Sequence, residues 1–263
     1  CFTHDTSSGD DSVYERDRYY FDKWCWSRIP RRPFIMLALK QALSLTTIKN
    51  VGGWLPSDES SLVAWYKNQA LITLNGSDVQ SWEDSSANTY DMKQTTVGQQ
   101  PAYSGGVVTF DSSADTNLEL DGSQISLTGD FTLALRIQKT ADNGTFLADN
   151  TSSNEFFKYS AQSDRISFKL GGAATTHNLD LDDGTTFGDD SIIITRDGSL
   201  VNLTVNGEVQ TVAPSASGTA LIDNIGLRKT DINGFDGTIK EIQIYSSTSA
   251  ALTANANARL IAL

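Results

Sequence analysis

Glu119 and Asp121 in "LELDGSQ" stand at alternate positions, the spacing that puts two carboxylates on one side of a strand. A sugar-cleaving site needs such a pair about the scissile bond. One carboxyl protonates the leaving oxygen and the other attacks or activates water. The series stops at Ser123, where a further glutamate would have to stand. Asp180 and Asp182 in "NLDLDD" alternate as well, without a glutamate. Both sets read as acid on a solvated strand face, and the chain is expected to be no enzyme. His177 is the one histidine after Met36. A Ser-His-Asp triad needs its base held beside a nucleophile, no nucleophile-elbow sequence occurs, and His177 reads as a strand or loop residue. Three tryptophans follow Met36. Trp65 in "LVAWY" and Trp82 in "SWED" are expected in the core, whereas Trp54 in "VGGWLP", among glycines and a proline, is expected to face a ligand or partner.

Strands must position all of these groups. From Ser61 onward, short apolar runs such as "GVVTF", "RISFKL" and "SIIITR" are separated by Gly, Asn, Asp and Ser. That punctuation marks a sandwich or barrel. In "FTLALRIQ", Phe131, Leu133, Leu135 and Ile137 share one face, and Thr132, Arg136 and Gln138 the other. Asp-Gly in "RDGSL" (196–200) and Asn-Gly in "VNGEV" (205–209) suit turns that need positive φ, so 189–212 is expected to form a three-strand meander. "LTANANARLIAL" places Leu252, Ala256 and Leu260 on one stripe and predicts a short C-terminal helix, with a second, weaker helix near "MLALKQALSL".

Charge and composition narrow the classes. Residues 1–35 carry equal numbers of acidic and basic side chains, so the whole net charge of −12 belongs to 36–263. Such a balance excludes nucleic acid as a partner, because phosphate binding rests on clustered Lys and Arg. No apolar run approaches the roughly 20 residues that span a bilayer, so no membrane is expected. Both cysteines, Cys1 and Cys25, precede Met36, which leaves the remainder without disulfide or thiol chemistry. Residues 1–35 are expected to be upstream nucleotide sequence, or a gene fragment, read in frame. Arg31-Arg32 can be encoded AGG-AGA, a ribosome-binding sequence, three codons before Met36. A genuine N-terminal arm is the other reading.

Three segments in order resemble the laminin-G-like, concanavalin A-like jelly-roll superfamily. "VQSWEDSSANTYDMKQ" (79–94) is similar to its W-x-D-x-S-G-N-G…D-A-x-Q stretch at Trp82, Asp84, Ser85, Asn88, Asp91 and Gln94, and departs from it at Ser86 and Ala87. "QQPAYSGGVVTFDSSADTNLEL" (99–120) resembles Q-P…G-G-V…F-D-G-x-D-D-x-L, with Ser112 in place of glycine. "FDGTIKEIQIY" resembles the closing strand. The resemblance implies an all-β antiparallel β-sandwich over 61–263 ending in a short helix. It also implies one calcium ion at a rim, held by Asp and Asn from two loops. The Asp-Asn pairs of "LADN" and "LIDNI" make Asp149, Asn150, Asp223 and Asn224 the candidates, with Asp231 a further one. Asp and Asn also make turns in such places, and that reading stays open. "DDGTTF" (182–187) is similar to the Asp-box of sialidase-like propellers, with Phe187 for Trp, and reads as a single Asp-Gly turn.

The opening "LALKQALSLTTIKNVGGWLPSDESSLVAWYKNQ" resembles small virion structural proteins of tailed phages, marine ones in particular. Residues 36–60 are therefore expected to be an attachment segment. The function this implies is a virion structural or adhesion protein, of fibre or head-decoration type, with a lectin-like domain. Its expected partners are glycans, other virion proteins or further copies of itself. A carbohydrate-binding module of a bacterial surface or secreted protein is the alternative.

Overall fold

The strand Phe131–Lys139 departs from simple alternation: Phe131 through Leu135 are all buried, on both faces. A strand with both faces buried needs a layer on each side, and the architecture supplies them. The structure, a computed structural model, describes residues 53–162, 164–182, 186–229 and 233–263. The helix expected near "MLALKQALSL" lies outside them, as do residues 1–52. The strands are β1 (Leu62–Tyr66), β2 (Ile72–Asn75), β3 (Asp78–Trp82), β4 (Met92–Lys93), β5 (Ala102–Ser104), β6 (Val107–Phe110), β7 (Leu118–Leu120), β8 (Ile125–Leu127), β9 (Phe131–Lys139) and β10 (Thr145–Ala148). Then come β11 (Phe156–Tyr159), β12 (Arg165–Lys169), β13 (His177–Asp180), β14 (Asp189–Asp197), β15 (Leu200–Val205), β16 (Glu208–Val209), β17 (Ala220–Ile222), β18 (Asn224–Ile225) and β19 (Gly237–Tyr245). A helix, Ala250–Ile261, follows. The fold is an all-β antiparallel sandwich.

One layer centres on β19, which pairs with β9 on one side and with β1 and β6 on the other, and extends through β14, β15 and β16. The meander expected over 189–212 is β14, β15 and β16, with Asn206 and Gly207 at positive φ in its second turn. The second layer runs β3–β4–β7–β18–β10–β11–β12–β13. β5 bridges the two by pairing with both β6 and β3. Between them lies the main core: Phe131 of β9 meets Phe157 of β11 at 6.2 Å, edge to face, although the two strands share no backbone pairing. Trp82 is fully buried there, against Tyr66.

The helix closes the outer face of the first layer. Ser249 caps it by accepting the Leu252 N–H at 3.0 Å, and Leu252, Ala256 and Leu260 form its buried stripe. Ala256 and Leu260 pack on Ala134 and Ile193, which explains the double burial of β9. Arg259 donates to the fully buried Glu241 at 2.5 and 2.8 Å, and that carboxylate also accepts the Asn68 N–H at 3.1 Å. Trp65 is buried on this side, with Arg259 4.9 Å from its ring centroid.

The first of the three resembling segments is a set of fasteners. Asp84 accepts the Trp65 N–H at 2.8 Å, the Ser86 N–H at 2.8 Å and the Tyr90 N–H at 3.1 Å. Asp91 accepts the Asp84 N–H, and the Asn88 amide reaches the Val63 carbonyl. Gln94 donates to Asn117 at 2.6 Å. Side-chain acceptors of this kind satisfy loop backbone that no strand can pair. In the second segment Ser112, where the superfamily has glycine, binds Asp236 through both its N–H and its hydroxyl.

Candidate functional site

Of the calcium candidates, the structure brings Asp149, Asn150 and Asp223 together at the end of β10 and the start of β18. Asp223 Oδ1 accepts the Asn150 N–H at 2.5 Å, and its Oδ2 accepts from Gln124 at 3.3 Å. Asp149 Oδ1 accepts the N–H and hydroxyl of Thr151 at 2.6 and 2.7 Å. Asn150 donates to Glu119 of β7 at 2.6 Å, so the acid that sequence reading weighed for glycan cleavage belongs to this cluster instead. β7 ends at Leu120, and Asp121 is therefore not the next alternate position of the same strand. Burial pushes the Asp223 carboxyl above its ordinary range, and the charges of Asp149 and Glu119 add to the rise.

Calcium takes six to eight oxygens around one point. Among the described residues, no three Asp, Glu, His or Cys side chains converge in that way. Oδ1 of Asp149 accepts the Thr151 N–H two residues on, as in a tight turn, and Oδ1 of Asp223 accepts the Asn150 N–H across the two loops. Asp231 lies outside the described residues.

Asn224 does something else. It is fully buried, and its Oδ1 accepts the Leu227 N–H at 3.2 Å, three residues on. The chain turns at Gly226, whose φ is 97°, and lays Arg228 over the ring of Phe156, 5.1 Å from its centroid. Lys158 approaches the same ring at 5.7 Å. Burial holds the Lys158 ammonium below its ordinary pKa, with Arg228 lowering it further, and burial lowers the Arg228 guanidinium too.

These groups stand on the outer face of the second layer. Register places Ser81, Lys93, Glu119, Asn224, Ala148, Phe156 and Lys169 in one row across it. A parallel row holds Lys158, Ser167 and Asn178, with Ser167 donating to Asn178 at 2.8 Å and Lys158 to Asn143 at 2.7 Å. Arg165 and Asp180 pair beside it. His177, at the start of β13, stacks on Phe168 at 5.3 Å and serves as a strand residue.

Trp54 differs from expectation. Its ring is half-buried against Ala134, Ile193, Ala256 and Leu260, and its indole N–H donates to Glu59 at 3.0 Å. Burial of apolar surface on that helix interface holds the ring in place, so one side of Trp54 is packed against the domain and the rest of it stays accessible. Sequence reading missed Arg228, Lys158 and Phe156 altogether. The one signal available was two basic residues in a chain otherwise dominated by acid.

No protein-family model matches the chain, and no curated protein matches it. Solved structures match the chain at low identity. Domain 4 of AbnA, a GH43 extracellular arabinanase from Geobacillus stearothermophilus, in complex with arabinotriose, is 16% identical with a TM-score of 0.49, over 75% of this chain and 97% of that one. Trypanosoma rangeli sialidase is 12% identical with a TM-score of 0.46, over 78% of this chain and 33% of that one. The CBM40 of the Ruminococcus gnavus IT-sialidase, bound to alpha2,3 sialyllactose, is 15% identical with a TM-score of 0.37, over 48% of this chain and 82% of that one. The likeness ends at the general architecture.

Proposed function

We propose that this protein is a non-enzymatic glycan-binding sandwich domain. One observation carries the reading. The first layer's outer face is covered by the helix, whereas the second layer's outer face carries side-by-side donors and acceptors, among them Lys93, Glu119, Lys158, Ser167 and Asn178. Sugars are recognised by such convergent polar groups, and the exposed Lys93 with the half-exposed Glu119, Lys158 and Asn178 can be reached from solvent.

The full chain is to be screened on a glycan array with calcium and again with chelator. Binding that survives chelation is expected, since Asp149 and Asp223 already hold loop backbone through Thr151 and Asn150. Binding lost on chelation would support the calcium reading, and silence across a broad array would overturn the glycan reading itself. No release of reducing ends from bound polysaccharide is expected.

For the setting, we propose a phage particle, on the resemblance of the segment running into "PSDESSLVAWY" to small virion proteins. Many weak sites on one particle add avidity without tight single contacts. Peptides of this chain in purified particles would support that setting. Their recovery only in the soluble fraction would favour the alternative, a module of a bacterial surface or secreted protein.

A further inference from the structure

Among the described residues the arginines other than Arg228 have an acidic or carbonyl partner. Arg136 pairs with Asp189 at 2.9 Å, Arg165 with Asp180, and Arg259 with Glu241. Arg196 donates to the carbonyls of Gly129 and Gly218. Arg228 is the exception: among the described residues it has neither a hydrogen-bond acceptor nor a carboxylate, and its Nε is buried without a partner. The Nδ2 of Asn224, in the same turn, is likewise buried without an acceptor. Lys158, which shares the Phe156 ring with Arg228, has a neutral partner in Asn143 and no acid.

Two cations held against one ring repel each other, and partial burial makes each harder to charge. A chain with net charge −12 has abundant carboxylates to neutralise them, yet none is placed there among the described residues. The deficit is specific. The site has buried donors, paired positive charge and an outward-facing position on the sheet, and among the described residues no carboxylate answers it. The Asn224 turn and the Phe156 ring fix the guanidinium in place, so little side-chain entropy remains to be lost when an anion arrives.

We propose that Arg228 and Lys158, seated on Phe156, form an anion subsite that takes a glycan-borne carboxylate or sulfate ester. The guanidinium fork donates to two oxygens of such a group, and the ammonium donates to a third. This rests on the glycan-binding reading and deepens it to acidic saccharides.

Titration calorimetry would use oligogalacturonate and its neutral methyl ester for the carboxylate, and carrageenan and agarose oligosaccharides for the sulfate. Inorganic sulfate is the fifth probe, read by thermal shift. The proteins compared are the wild-type chain, Arg228→Gln and Lys158→Gln, each checked for wild-type far-UV circular dichroism. Tighter binding of the charged member of at least one pair is expected, weakened about tenfold in each variant, with neutral binding unchanged. The pair that discriminates names the carboxylate or the sulfate. Equal binding of charged and neutral members would overturn the subsite and leave the glycan reading intact. Stabilisation by sulfate in the wild type alone, with every saccharide silent, would keep the subsite and overturn the glycan reading. Undiminished charged-ligand binding by both variants would overturn the subsite, and silence of all five probes would overturn both.

Discussion

Gly226 sits at φ 97°, and a Cβ there would lie 2.5 Å from Phe110 Cδ1. Gly226→Ala therefore meets both backbone strain and a core ring, and is expected to lose about 3 kcal/mol in urea unfolding. Gly198→Ala is the control, with positive φ but open space, and about 1 kcal/mol is expected. Asp223 acts through charge. Its raised pKa means that the folded form takes a proton more readily than the unfolded chain. Its contribution to stability is therefore present below the unfolded value and lost as pH rises through the folded one. Asp223→Asn abolishes that loss, so a melting temperature about 2 °C above wild type is expected at pH 7 and no difference at pH 3. A lower melting temperature at pH 7 would instead show that the Asn150 N–H bond to a charged acceptor outweighs the repulsion. Position alone did not reveal these roles. "LIDNI" advertised Asp223 and Asn224 as alike, but one joins an acidic turn while the other, one pleat away, fixes the Arg228 loop.

At the scale of elements, the C-terminal helix and the strand beneath it are a unit. Glu241 has no exposure, and Arg259 supplies the cation that makes its burial tolerable. Arg259→Leu leaves that carboxylate with only neutral donors and is expected to lose about 3 kcal/mol by urea titration. Ser249→Ala removes only the cap, and about 1 kcal/mol is expected. The helix itself was legible, since its stripe at Leu252, Ala256 and Leu260 is a 3.6-residue pattern between a serine cap and the chain end. What lay beneath it was not. β9 shows apolar residues on both faces only through Ala134, too small and ambiguous to announce a covering helix.

The net charge of −12 acts at the level of the whole molecule. It repels an anionic saccharide at long range, while Arg228 and Lys158 attract at contact. Salt screens the long-range field first. The association rate of oligogalacturonate is therefore expected to rise between about 10 and 150 mM NaCl, measured by stopped flow. A rate that falls with salt would show that the local pair governs approach as well as contact. The sequence by itself determined the strand runs, the Asp-Gly and Asn-Gly turns, the closing helix and the burial of Trp82, because each depends on neighbours a few residues apart. Tertiary structure alone decided that Trp54 leans on the helix interface, that Glu119 joins Asp149 and Asp223, and that Arg228 meets Lys158. Alternation divides a strand into two faces without saying which is covered, and residues seventy apart become neighbours only through the order in which strands pair.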